Sequence, residues 1–259
     1  MIELKTSYSF SGVPYITYDA LDDYAEEVVD EFAPAFLNYP GIINEECFIE
    51  DYLELETAYH RIQYERKILG MTAFNNGVLQ VANEETGLPE PMPVLKGTVV
   101  LDTSLEGKRN LPRLRFTAMH ESSHWILHRK AFAENNPFGA VGTFENQYLA
   151  AKEGRIDYSR SRKERTDIQI IERQADFLSS AILIPRPALR EAYREFFRYY
   201  HEKPRRIIKG SGNPMDDCFA VELPKYVAGL FCVSKRAALI RLEKLTAIVD
   251  SKTWRGARS

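Results

Sequence analysis

The chain has 259 residues, a formal net charge of −3, 44% hydrophobic residues and 27% charged residues. This length fits one large domain or two small ones, and the composition excludes a disordered polyelectrolyte. The near-neutral charge gives no global sign of a nucleic-acid binder.

Leu21, Tyr24, Val28, Val29 and Phe32 recur at helical spacing, which predicts an amphipathic helix over Ala20–Phe36. Asn38, Pro40 and Gly41 then break the chain, and a second helical stretch is expected over about Glu45–Leu69. The segment from Gly70 to Asn83 has two β-prone runs around Asn76-Gly77, the signature of a hairpin. A proline-rich loop, LPEPMPV, follows, and then a strand over Thr98–Asp102.

Asn110 is placed to cap a helix from Leu111 to Lys130, with Pro112 in its first turn. Residues 131–168 read as a charged loop. Helices are expected from Asp167 to Pro185 and from Pro187 onward. KGSGNP is a linker, and YVAGLFCVSKRAALIRLEKLTAI forms the last helical region. Cys47, Cys218 and Cys232 contain no CxxC pair, so free thiols in a reducing compartment are expected. Neither a secretory signal pattern nor an apolar run of about 18 residues occurs, so the expected location is cytoplasmic.

Three of the five histidines fall in HESSHWILH, residues 120–128, in the middle of the helix expected from Leu111. His120 and His124 are one turn apart on one face and can converge on one ion. Glu121 points about 100° away and suits a general base acting on water at that ion. His128 lies about 12 Å along the axis from His120 and cannot share the ion, which leaves it a supporting role around the ligands, a loop carbonyl as partner, or a place on the surface. The extended HExxHxxGxxH pattern is excluded, because Leu127 and Lys130 occupy its glycine and histidine positions.

His60 and His201 are the only other histidines. Glu172 is the better third ligand, because Glu172 and Asp176 share a face of the following helix. Asp176 can then accept the free N–H of a ligand imidazole. A His-His-Glu set with an open fourth position is that of a catalytic zinc, Zn2+.

Three stretches resemble the ImmA/IrrE metallopeptidases. RFTAMHESSHWILH is similar to RFTxAHExGHxxLH, ERQADFLSSAILIP to ExxAN/DxFAxxLLMP, and FCVSKRAALIRLEKL to FxVSxxAxxxRLxxL. Ser123 and Leu178 depart from the glycine and phenylalanine of those patterns.

The resemblance spans about Leu69 to Leu245. It implies an α+β, minimal zincin-like fold, with an HExxH helix on a small antiparallel sheet and C-terminal helix-turn-helix-like helices. It also implies a zinc endopeptidase that cleaves a repressor-type transcription regulator inside the cell. The expected division is residues 1–189 for the peptidase and 190–259 for the helical region.

A substrate strand is expected beside Thr98–Asp102 or the Gly70–Asn83 hairpin, with a tyrosine or His201 as oxyanion donor. The competing reading is a DNA- or protein-binding regulatory module that holds zinc without proteolysis. Lys235, Arg236 and Arg241 supply its positive charge, but direct nucleic-acid binding is the lesser expectation.

Overall fold

The computed structural model describes residues 1–62, 68–83, 85–133, 148–152 and 167–254. It is an α+β chain. Helix α1 covers Tyr18–Phe32, and Thr17 caps it by accepting from the amide of Ala20 at 3.2 Å. Short helices α2 (Ala35–Asn38) and α3 (Glu45–Cys47) follow, and α3 runs into a π-turn at Phe48–Tyr52.

The long second helix expected from Glu45 is not formed. Glu54 adopts the left-handed conformation, φ 56°, which stops the helix. The β-prone ETAYH then becomes strand β1, Glu56–His60.

Strands β2 (Ile68–Ala73), β3 (Gly77–Ala82), β4 (Pro89–Val94) and β5 (Thr98–Asp102) come next. Asn76-Gly77 does not close a β2–β3 hairpin. Instead β3 pairs with β4, and Asn76 Oδ1 accepts from the amide of Lys96 at 2.8 Å, tying the two crossings together. The proline-rich stretch is therefore strand, not loop. Pro89, Pro91 and Pro93 alternate, which puts every missing donor on the edge of β4 away from β3.

A four-stranded sheet has the order β1-β5-β2-β6, where β6 is Tyr148–Lys152. The sheet is mixed rather than antiparallel, because β1 runs parallel to β5. Parallel neighbours need a crossover, here the chain through β2, β3 and β4. The rest of the stretch expected to be a charged loop falls largely on 134–147 and 153–166, outside the described residues.

Strand alternation divides the core. Met71, Ala73 and Val100 face a small cluster with Leu79 and Val81 of the β3–β4 pair. Val99 and Leu101 face the main cluster, which contains the helices.

Helix α4 (Leu111–His128) lies under that face and is buried all round from Thr117 to His128, as a central helix must be. Asn110 does not cap it. Its side chain donates instead to the Ser104 carbonyl at 2.9 Å. Helix α5 (Asp167–Leu183) packs along α4, followed by α6 (Arg186–Tyr199), β7 (Ile207–Lys209), α7 (Pro214–Phe231), α8 (Lys235–Lys244) and β8 (Ile248–Asp250).

The boundary expected after residue 189 falls inside α6. Leu189, Phe196, Phe231 and Leu242 lie in the same cluster as Leu21 and Ile126. Arg115 of α4 ties these parts together, donating to Ile43 O at 2.6 Å and to Phe231 O and Cys232 O at 2.6 and 2.8 Å, with an ion pair to Glu45 at 3.0 Å. Among the described residues, no helix is long and apolar enough to cross a membrane.

Candidate metal centre

His120, His124 and Glu172 come together as three ligand atoms within 4.8 Å of one another. His120 Nε2 and His124 Nε2 are 2.9 Å apart. Glu172 Oε2 is 3.5 Å from the first, and Glu172 Oε1 is 3.7 Å from the second. Zinc–nitrogen bonds of about 2.0–2.1 Å in tetrahedral geometry put neighbouring ligand atoms about 3.3 Å apart. The two histidine nitrogens are closer than that value, and each lies slightly farther than it from one oxygen of the Glu172 carboxylate.

The donor set also fits chemically. His120 Nδ1 is 3.0 Å from Asp176 Oδ1, a close approach, though outside hydrogen-bond geometry. His124 Nδ1 is 3.1 Å from His128 Nδ1. With protons on the Nδ1 atoms, two Nε2 lone pairs and a carboxylate face one point. Such an acceptor cluster repels itself unless a cation or proton lies within it.

The field agrees. Burial pushes His120 down, but Asp176 and Glu172 outweigh it and hold its pKa well above the usual histidine range. Burial, with His120 and His128, holds His124 well below that range. Burial pushes His128 down to about 3 against the opposing hydrogen bond to Gln174. Positive charge is thus favoured beside the two carboxylates and disfavoured deeper along α4. The Glu172 side chain is 33% exposed, so the cluster opens toward solvent on the α5 side.

Glu121 is fully buried. Its Oε2 and its carbonyl oxygen each lie 2.9 Å from Thr72 Oγ1 on β2. A Cβ at Gly70 would meet Glu121 Cγ at 3.0 Å and Thr117 Cγ2 at 2.7 Å, so glycine lets the strand approach this carboxylate. Gly70 and Thr72 escaped the sequence reading, although an isolated glycine within a strand is the signal for such an approach.

Ser122 and Ser123 are buried and satisfied, donating to the carbonyls of Ala118 and Met119 at 2.8 Å each. Serine at position 123 therefore leaves the helix intact.

His128 is fully buried, not on the surface. Gln174, also missed, lies 3.0 Å from His128 Nε2 through its Oε1. Its position two residues past Glu172 gives no periodic signal. His60 on β1 and His201 at the end of α6 do not belong to the cluster.

Among the described residues, neither β5 nor β2 is an edge strand of the four-stranded sheet. β5 lies between β1 and β2, and β2 lies between β5 and β6. β3 runs against β4 and bridges Ile62 on its other side.

No protein-family model matches the chain, and no curated protein matches it significantly.

Proposed function

We propose that the protein is a zinc-dependent endopeptidase. The observation that carries this reading is the convergence of His120, His124 and Glu172, with a buried carboxylate, Glu121, on the helix that carries both histidines. A structural zinc site needs no such base. The ion would be held by His120, His124 and Glu172, and it would supply Lewis acidity and lower the pKa of water. Glu121 takes a proton from the attacking water and returns it to the leaving amine. Thr72 and Gly70 fix the position from which it does so.

The resemblance to the ImmA/IrrE metallopeptidases supports a repressor-type regulator as substrate. The α7–α8 pair supports partner docking over DNA reading. Cys232 is left-handed at the end of α7, and Ser234 caps α8 through the amide of Ala237. Lys235 and Arg236 are exposed, but Arg241 is 1% exposed. It is held by Asp22 at 2.8 Å and by Ile184 O at 3.0 Å, which removes it from any nucleic-acid contact.

The test is incubation of the zinc-loaded protein with a helix-turn-helix repressor encoded beside it. Cleavage at one or a few sites, lost in Glu121→Gln, is expected. An intact repressor, or equal cleavage by Glu121→Gln, would overturn the reading.

A further inference from the structure

A histidine that offers Nε2 to a metal must carry its proton on Nδ1, so the partner of Nδ1 decides whether the ligand is correctly poised. For His120 that neighbour is Asp176. For His124 it is another imidazole nitrogen, His128 Nδ1, at 3.1 Å. Two like atoms face each other there, and one must donate while the other accepts.

The direction of this contact is set three groups away. The Pro14 carbonyl oxygen can only accept. Gln174 Nε2 lies 2.8 Å from it and therefore donates. That fixes the amide orientation and leaves Gln174 Oε1 facing His128 Nε2 at 3.0 Å. Oε1 can only accept, so His128 carries its proton on Nε2 and its Nδ1 is an acceptor. His124 must then donate from Nδ1, and its Nε2 lone pair is free toward His120 and Glu172. Each proton position follows from the one before it, and the chain ends at a ligand atom.

Pro14 is itself held firmly. It bridges Tyr8, and Ser9 donates to Val13 O at 2.8 Å. Gly12, at φ +83°, seats this loop against the end of α4. A Cβ there would stand 2.7 Å from the Lys130 carbonyl and the Ala131 nitrogen. The Lys130 ammonium lies 3.8 Å from the centre of the Tyr8 ring.

We propose that His128 and Gln174 are positioning residues that lock His124 in the metal-binding tautomer, and that the loop around Pro14 is part of the metal centre. This rests on the reading that His120, His124 and Glu172 hold zinc. Second-shell partners of ligand histidines change metal affinity by about 10- to 100-fold.

The test compares two full-length variants, with zinc affinity measured by chelator competition. Gln174→Leu removes the acceptor and should weaken zinc binding by about 10- to 100-fold. Gln174→Glu keeps an oxygen for His128 Nε2–H and should bind zinc within about threefold of the unaltered protein, although a buried carboxylate lowers its thermal stability more than leucine does. A merely structural role predicts the reverse order, with affinity following stability, and that order would overturn the proposal.

Nitrogen-15 NMR of the zinc-loaded, unaltered protein tests it without any variant. His128 should carry its proton on Nε2, and a proton on Nδ1 would overturn it. An unaltered protein that takes up no zinc overturns the underlying metal reading. One that binds zinc tightly while Gln174→Leu binds it equally well overturns this inference alone.

Discussion

Thr72 Oγ1, on the buried strand β2, stands 2.9 Å from Glu121 Oε2 on α4. This contact joins the sheet to the proposed general base. A hydrogen bond to a charged group contributes about 1.5–3 kcal/mol. Thr72→Val keeps the shape and removes the donor. It should lower peptidase kcat about 10- to 100-fold while zinc stoichiometry stays unchanged, as read by kinetics beside metal analysis. Unchanged kcat would show that the hydroxyl does not position Glu121.

Gly70→Ala tests the close approach from the other side. The added Cβ meets Thr117 Cγ2 at 2.7 Å, inside van der Waals contact. Overpacking of this kind costs about 1–3 kcal/mol. The expected outcome is a lower Tm, partly recovered in Gly70→Ala/Thr117→Ser, because the two changes share one contact. A double variant no more stable than Gly70→Ala would place the strain elsewhere.

Arg241 distinguishes the docking reading from the DNA-reading alternative. Removing one partner of a buried ion pair costs about 3–5 kcal/mol, because the other charge is left buried alone. Arg241→Met should therefore lower thermal stability strongly, and Asp22→Leu/Arg241→Met should recover much of it. If Arg241→Met were stable and instead reduced salt-sensitive binding to duplex DNA, α8 would be a reading helix.

Much of the candidate metal centre was legible because it is local. His120, Glu121 and His124 sit within a five-residue span of α4, and Glu172 and Asp176 within one of α5, so helical periodicity alone places each set on its face. That the two sets meet needs only that the two helices pack together.

The misreadings have separate causes, two of them local and one a partner distant in sequence. Gly77–Ala82 looked like the second arm of a hairpin because Asn76-Gly77 is a turn signal, yet its partner is the proline-rich β4. Glu45–Leu69 began with helical periodicity, and one left-handed residue, Glu54, redirected the chain into β1. Gln174 and Pro14 are 160 residues apart, and no local pattern connects them.

The central claim is that His120, His124 and Glu172 hold a zinc ion on which Glu121 acts. Elemental analysis of the purified protein, run beside Glu172→Ala and Glu121→Gln, tests it most directly. The account predicts about one zinc per chain in the unaltered protein and in Glu121→Gln. It predicts strongly reduced zinc in Glu172→Ala, and at least a 100-fold loss of hydrolysis in Glu121→Gln, in line with the roughly 10²–10⁴-fold contribution of a general base. Full zinc in a folded Glu172→Ala variant, or no zinc in the unaltered protein, would contradict it.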